Sequence, residues 1–245
     1  MPAWAKPDTR GQLRLTRKPN LVRERDEVHL RVLACGLSRT DLQVVDKALN
    51  QHLAKVTPGH QIVGGFTEVA TAPEGFAFQL PPNANAVEVA SPLCTGIIGH
   101  RALSEAALPP GCRPGIYRCG SSGPFRRRCT LPAPEKMDSA IIFAPAGERV
   151  PVALAAATRG GSVVLAAIDV SDIPTMNYHA SLFEERDLRT VTASTREDGT
   201  RLLQLAHDLS IAPTVTTYPF DRVDVALADL RGGRASGSIV ITVPD

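Results

Sequence analysis

The chain has 245 residues, of which 43% are hydrophobic and 21% charged, a composition typical of a soluble globular protein with one large domain or two small ones. Its net charge of +2 and aromatic content of 4% argue against nucleic-acid binding, which relies on clustered basic side chains and stacking rings. The polar segment 1–20 does not predict a secretory signal, and no apolar run is long enough to span a bilayer. Five scattered cysteines predict a reducing, cytoplasmic environment without disulfides.

The first third of the chain reads as β-rich. Residues 27–35 alternate apolar and polar side chains, which predicts a half-buried strand. Residues 41–49 predict a short helix, and the stretches 61–67 and 68–72 are strand-like. No helix of useful length is predicted before about residue 88.

Later in the chain, predicted strands and helices alternate. We predict helices at 89–108, 150–158 (ended by Gly160 and Gly161), up to 183, 201–209 and 221–230, and strands at 114–117, 137–145, 162–168, 188–193, 214–220 and 238–243. Such alternation predicts a parallel sheet of βα units. The continuous apolar run Ile141-Ile142-Phe143 predicts a strand that is covered on both faces.

Three short motifs carry the chemical information, and they stand in a fixed order. They read Cys35-Gly36-Leu37-Ser38-Arg39-Thr40-Asp41-Leu42-Gln43, then Pro58-Gly59-His60-Gln61, then Cys94-Thr95-Gly96. In this order they resemble the catalytic-zinc motifs of the zinc-dependent alcohol dehydrogenases, in the medium-chain dehydrogenase/reductase superfamily. The family's pattern is roughly C-G-V-C-R-T-D-L-H, then P-G-H-E, then a cysteine before a glycine-rich helix start.

This resemblance implies a fold and a reaction. The expected fold class is α/β, with a GroES-like β-barrel catalytic domain formed by residues 1–95 and 196–245. Residues 96–195 would form a Rossmann cofactor domain, a doubly wound parallel sheet. The implied reaction is the NAD- or NADP-dependent oxidation of a small-molecule alcohol to an aldehyde or ketone.

The resemblance places three zinc ligands at Ser38, His60 and Cys94. A catalytic zinc needs three protein ligands and one open position, and here the family's first cysteine ligand is a serine. A hydroxyl is a weaker ligand than a thiolate, so we expect the zinc to be weakly bound or absent. On the alternative interpretation Cys35 and Cys94 are buried small side chains and His60 is a turn residue bonded to the backbone.

Neighbouring positions of the same motifs also differ from the family. Thr40 matches the hydroxyl that receives the substrate proton, and Asp41 matches the carboxylate that orients the metal-bound histidine. Gln43 replaces the histidine that ends the proton relay in many members, and an amide does not exchange protons near neutral pH. Gln61 replaces a glutamate near the metal and removes its charge.

The cofactor motif is incomplete. The resemblance places the pyrophosphate at Gly120 and Gly123, in a turn where the family's first glycine is Arg118. Pro124 and the arginines 126–128 follow where a helix should begin, so we expect weak binding of NAD or NADP. The arginines could capture phosphates by charge, but an exposed irregular segment is the interpretation we favour.

Two family segments have no counterpart in the sequence. The lobe that carries four closely spaced cysteines and a structural zinc is absent after residue 65. Most of the first nucleotide-binding half is absent between Gly123 and Met137, where only about a dozen residues stand. We interpret this as an internal deletion or local frame disturbance. Either 115–117 or 140–143 should then be an open apolar edge, which predicts low solubility or pairing into a homo-oligomer.

Three functional hypotheses follow. The first is a shortened zinc-type alcohol dehydrogenase with impaired activity. The second is a non-catalytic remnant or a binding module of the same ancestry. The third, a zinc-independent enzyme of the quinone-reductase type, explains the missing ligands but not the retained His60, Cys94 and Thr40-Asp41.

Overall fold

A computed structural model divides the chain into two compact units. The first unit comprises Met1–Gly96 and Gly199–Asp245, and the second comprises Ile97–Asp198. The residues that the structure describes are 1–5, 13–17, 19, 22, 25–46, 65–80, 82–108, 110–117, 135–167 and 170–244.

The described elements follow one another in chain order. The N-terminal elements are β1 (Pro2–Ala5), β2 (Arg14–Arg17), β3 (Glu27–Arg31), β4 (Ala34–Leu37), α1 (Arg39–Val45), β5 (Val69–Pro73) and α2 (Ala86–Ala90). The middle elements are α3 (Pro92–Glu105), β6 (Pro114–Tyr117), β7 (Met137–Ile142), α4 (Arg149–Ala156), β8 (Ala157–Leu165), α5 (Tyr178–Ser181) and β9 (Asp187–Thr190). The C-terminal elements are α6 (Arg196–Asp208), β10 (Val215–Pro219), α7 (Val223–Gly232) and β11 (Ser238–Thr242). None of these described helices is both long and apolar enough to cross a bilayer.

In the first unit the described strands form three small sheets. Strands β1 and β2 are antiparallel, as are β3 and β5, while a three-stranded sheet has the order β10-β11-β4. The predicted strand 27–35 is therefore two strands, β3 and β4, which join different sheets. The break has a hydrogen-bonding cause, because the Val32 N–H donates to Glu68 whereas the Leu33 carbonyl accepts from Val243.

Both ends of the chain contribute to the core of the first unit. Trp4 is buried in β1, and its indole N–H donates to the carbonyl of Phe220 at 2.7 Å. Strand β4 pairs antiparallel with β11, so that Cys35 lies opposite Ile241. Strands β10 and β11 are parallel and are connected by α7, a crossover that parallel strands require.

The second unit contains a four-stranded parallel sheet with the order β6-β7-β8-β9. Ala140 and Ile142 of β7 pack on one face with Leu154 of α4. Ile141 packs on the other face with Ala102 of α3. The prediction of a parallel sheet with a strand covered on both faces is therefore confirmed.

The predicted end of the helix before β8 is wrong. Helix α4 ends at Ala156, and β8 runs from Ala157 through both Gly160 and Gly161. Gly160 has a left-handed φ of 68°, which is a common signal for the end of a helix. Here that conformation lies inside the strand, where the Gly160 N–H donates to the carbonyl of Glu184.

Of the two segments predicted as an open edge, 115–117 lies in β6, one of the two edge strands of the described sheet, whereas residues 140–142 lie in the inner strand β7. The carbonyls of Arg113 and Tyr117 accept hydrogen bonds from the β7 segment, so by the alternation of a strand Pro114 and Ile116 face away from it. Proline has no N–H, and β6 therefore offers outward one donor, the N–H of Ile116, together with the carbonyls of Pro114 and Ile116. The Ile116 side chain is 54% exposed. Pro114 blunts this edge against pairing, while Ile116 favours it.

Candidate functional site

The predicted zinc motif lies where the chain leaves a core strand and enters helix α1. Cys35, Gly36 and Leu37 are buried in β4. Ser38 follows in an extended conformation and is half-buried at the start of α1, and Asp41 lies in the first helical turn. The sheet therefore fixes the position of the turn that carries Ser38.

Ser38 and Asp41 are bonded to each other. The backbone N–H of Ser38 donates to Oδ2 of Asp41 at 2.7 Å, and the Ser38 hydroxyl donates to the same oxygen at 3.1 Å. The N–H of Asp41 in turn donates to the Ser38 carbonyl at 3.1 Å. Asp41 is only 3% exposed, so this bonding also satisfies a carboxylate that is shielded from water.

The same arrangement occurs at the start of α6, where no metal ligand is predicted. The N–H and the hydroxyl of Thr195 both donate to Oδ2 of Asp198, each at 2.7 Å. In both helices a hydroxyl residue is followed three positions later by an aspartate, which is a helix-capping arrangement. Ser38 and Asp41 thus have a role in starting α1 that does not require a metal.

The described residues do not by themselves form a metal site. Of the three predicted ligand side chains only that of Ser38 is described, and its hydroxyl donates a hydrogen bond to Asp41. His60 and Gln61 lie outside the described residues, and of Cys94 only the backbone, in α3, is described. Among the described residues, no group of three histidine, cysteine, aspartate or glutamate side chains could hold a metal ion.

Cys35 does not replace the missing thiolate. It is 1% exposed, and its Sγ donates to the Gly36 carbonyl at 3.5 Å. Burial raises the pKa of the Cys35 thiol far above its ordinary value, and the negative charge of Asp41 raises it further. Since the thiolate is the form that binds zinc, this cysteine is a neutral core residue.

Thr40 and Gln43 are both half-buried on α1. Thr40 is adjacent to Asp41, and neighbouring positions on a helix do not face each other. The carboxylate of Asp41 is directed at Ser38, so the two predicted catalytic side chains, Thr40 and Asp41, point to different sides of the helix. Their proposed roles remain predictions.

The predicted pyrophosphate site begins just beyond the described part of β6. Gly120, Gly123, Arg118 and the arginines 126–128 all lie outside the described residues. The next strand along the sheet, β7, is described at its carboxyl end, the side where parallel sheets bind ligands. There the N–H of Gly147 donates to Oγ of Ser171 at 2.9 Å, so the loop after β8 packs onto the turn after β7.

Two residues with structural roles were not identified from the sequence. The first is Ser38 as a helix cap, for which the signal was its spacing of three residues from Asp41. The second is Arg186, which is buried and bonded to three backbone carbonyls. No local pattern indicates that role, because its carbonyl partners lie up to 29 residues away in the sequence.

The capping pair Thr195–Asp198 at the start of α6 tests this interpretation. Asp198→Asn is expected to lower the free energy of unfolding by about 1 kcal/mol at pH 7. Burial raises the pKa of Asp198, but hydrogen bonds from Thr195 and Arg101 outweigh burial and lower this pKa to about 2. The pKa of Asp198 in the folded state is thus below its unfolded value of about 3.9. The ionised carboxylate therefore contributes its full stabilisation above about pH 3.9, and this stabilisation is lost as the pH falls towards 2.

Denaturant unfolding at pH 7 and pH 3 measures this contribution. The difference between wild type and Asp198→Asn should be smaller at pH 3. The exposed carboxylate of Asp208, at the other end of α6, provides the control, and Asp208→Asn should change stability by less than about 0.5 kcal/mol at either pH. A difference for Asp198→Asn that grows on acidification would contradict the assignment.

The chain is similar to known alcohol dehydrogenases. No protein-family model matches the chain. A probable alcohol dehydrogenase of Mycobacterium tuberculosis, AdhA, is 31% identical over 307 aligned residues, which cover 89% of this chain and 89% of the relative. Because this alignment is longer than the chain's 245 residues, the relative carries residues that have no counterpart here.

Solved structures share the fold at low identity. CAD from Helicobacter pylori, complexed with NADP(H), has a TM-score of 0.80 at 13% identity, covering 98% of this chain and 97% of that one. Acetophenone reductase from Geotrichum candidum, in complex with NAD, has a TM-score of 0.81 at 14% identity, covering 98% and 96%.

Proposed function

The chain belongs to the zinc-dependent alcohol dehydrogenase family of the medium-chain dehydrogenase/reductase superfamily, and we propose that it keeps the family's scaffold but performs the family's reaction poorly. The inherited reaction is the oxidation of a small-molecule alcohol to an aldehyde or ketone with NAD or NADP. The relatives in complex with NADP(H) and NAD support a nicotinamide cofactor for this ancestry.

We assign the two units to the two domains of that family. The first unit, Met1–Gly96 with Gly199–Asp245, would be the catalytic domain of GroES-like type. The second unit, Ile97–Asp198, would be the cofactor domain, which its parallel sheet supports. The joining of both chain ends in one core by Trp4 and by the pairing of β4 with β11 supports the first assignment.

The observation that carries the proposal is the bond between Ser38 and Asp41. Where the family has a zinc-binding thiolate, this chain has the hydroxyl of Ser38, which donates a hydrogen bond to the buried Asp41 carboxylate at 3.1 Å. A serine hydroxyl stays protonated at neutral pH and is a poor zinc ligand, so His60 and Cys94 alone would leave the ion weakly held. Gln43 and Gln61 further remove the family's relay base and a nearby charge.

Zinc content measured on wild type and two variants tests this proposal. Wild type should hold well below one zinc per chain after dialysis. Ser38→Cys should raise the zinc content several-fold, because it restores the third ligand, whereas Ser38→Ala should not. Both variants lose the hydroxyl cap and should lose about 1 kcal/mol of stability in the metal-free state, so stability alone cannot explain a difference in zinc content.

Two results would contradict the proposal. One is tightly held zinc at one ion per wild-type chain. The other is equal zinc content in Ser38→Cys and Ser38→Ala, which would mean that position 38 does not face a metal site formed with His60 and Cys94.

A non-catalytic remnant or binding module of the same ancestry is the second candidate. The observation that favours it is that the described part of this sheet has four strands and ends at β6, where a doubly wound fold continues with two more. The two candidates differ in turnover, since the first predicts a slow reaction with a dinucleotide and the second predicts none.

A further inference from the structure

The strand order of the second unit bears on which part of a dinucleotide it can bind. A doubly wound dinucleotide sheet has two mononucleotide-binding halves, in the order 3-2-1-4-5-6, and the ligand lies across the point where the order reverses. In the first half, an acidic residue about 20 residues after the glycine turn binds the ribose that carries the 2′-phosphate of NADP. That ribose belongs to the adenosine part, so the first half is the adenosine half.

The described strands run in one direction without a reversal. In the order β6-β7-β8-β9 each strand is followed by its neighbour on the same side. Right-handed crossovers between such strands place their connections on one face of the sheet. Accordingly, the same apolar cluster contains residues from both of the next connections. These are α4, which connects β7 to β8, and Leu182, which lies between β8 and β9. The arrangement corresponds to strands 1-4-5-6 of a doubly wound sheet.

The place of strand 2 is open in the described structure. Strand 2 would pair with the outer side of β6, and no described strand lies there. Ile116, whose backbone faces that side, has a side chain that is 54% exposed. Only 19 residues separate Tyr117 from Met137, and one βαβ unit alone takes about 30 residues, so the connection is too short to supply both missing strands with their helices.

We infer that the adenosine half of a nicotinamide dinucleotide gains no affinity from this chain. Whatever affinity remains is that of the nicotinamide mononucleotide portion, because the described sheet contains only that half, β7 to β9 beside β6, and residues 118–136 are too few for the other half. The inference rests on the proposed cofactor role of the second unit, and it extends that proposal by naming which portion of the cofactor the chain recognises.

Calorimetric titration of the full wild-type chain tests the inference. NAD, nicotinamide mononucleotide and 5′-AMP are titrated separately at low and high salt, with inorganic pyrophosphate as the control for attraction of phosphates to arginine side chains. The salt-insensitive dissociation constants of NAD and the mononucleotide should agree within about threefold. 5′-AMP should bind no better than pyrophosphate. An absence of detectable binding by both NAD and the mononucleotide agrees with the inference as well.

Two outcomes overturn the inference. The first is NAD binding at least tenfold tighter than the mononucleotide at high salt, a difference of about 1.4 kcal/mol that the adenosine half would supply. The second is salt-insensitive binding of 5′-AMP beyond that of pyrophosphate. Neither outcome depends on zinc, whereas the proposed function fails on zinc content, so the two failures can be distinguished.

Discussion

Arg186→Met is expected to lower the free energy of unfolding of the second unit by about 2–4 kcal/mol, because it removes a buried guanidinium that donates hydrogen bonds to backbone carbonyls. The Arg186 side chain is 3% exposed and forms an ion pair with Glu184. Its Nε donates to the carbonyl of Ala157 at 3.0 Å, and its Nη1 donates to the carbonyl of Ala180 at 2.9 Å. Methionine fills a similar volume but donates no hydrogen bond, so these carbonyls would lose their partner.

The planar guanidinium is the essential feature of Arg186, because it donates both to carbonyls at the start of β8 and to the carbonyl of Ala180 in α5. Arg186→Lys keeps the charge but offers one nitrogen in place of three, and should lose most of the same stability. The control is Arg189→Met, which removes an exposed ion pair with Asp187 and an exposed hydrogen bond to the Glu105 carbonyl, and should cost less than about 1 kcal/mol of stability. Denaturant unfolding gives the comparison, and equal costs at positions 186 and 189 would contradict the assigned role.

Gly237→Ala is expected to lower the free energy of unfolding of the first unit by about 2–5 kcal/mol. Gly237 has a φ of 73°, and an alanine Cβ there would lie 2.1 Å from the backbone carbonyl oxygen of Thr214. The N–H of Ser238 donates to that same carbonyl at 2.9 Å, at the point where β10 and β11 begin. The alanine would therefore suffer both left-handed backbone strain and a clash that backbone movement must relieve.

Two further glycines separate strain from clash. Gly160 has a φ of 68° but open space where an alanine Cβ would lie, so Gly160→Ala should show the strain alone, about 1–2 kcal/mol. Gly75 also has open space and no left-handed φ, so Gly75→Ala should change stability by less than about 1 kcal/mol. Urea unfolding of the three variants measures the order, and a cost at Gly237 no larger than at Gly160 would show that the clash is absent.

The alternation of the second unit was predictable because it depends on local patterns. The apolar run Ile141-Ile142-Phe143 indicated a strand covered on both faces, and β7 is such a strand. The segment 114–117 was predicted with its observed bounds as β6. In each case the pattern of apolar side chains within a few residues determines the element, which is why sequence alone sufficed.

Features that depend on distant partners were not predictable in the same way. The end of α4 was misplaced because Gly160 has the conformation of a helix end but is bonded to Glu184 in the neighbouring segment. The split of 27–35 into two strands depends on partners at Glu68 and Val243, far away in the sequence. Arg186 has the same character, since its burial becomes evident only when α5 and β8 are placed together.

The candidate site shows a different limit of sequence reasoning. The motif identified Ser38 as a missing thiolate, but the motif does not reveal what the hydroxyl does instead. In the structure Ser38 and Asp41 form a capping box at the start of α1, and the Ser38 hydroxyl also donates to the Asp41 carboxylate, as the Thr195 hydroxyl donates to Asp198 at α6. A residue that weakens the inherited chemistry therefore contributes to local stability, which provides a physical reason for the helix to form without a metal.

Steady-state oxidation of primary and secondary alcohols by the wild-type chain is the most direct test of the central claim, that the family scaffold persists while its reaction is impaired. The assay uses NAD and NADP in turn, with and without added zinc, on protein whose folding has been verified by thermal unfolding. We expect turnover well below about 1 s−1, the lower end of the usual range for enzymes, under all four conditions. Turnover of about 1–1,000 s−1 on any alcohol, with either dinucleotide, would contradict the account.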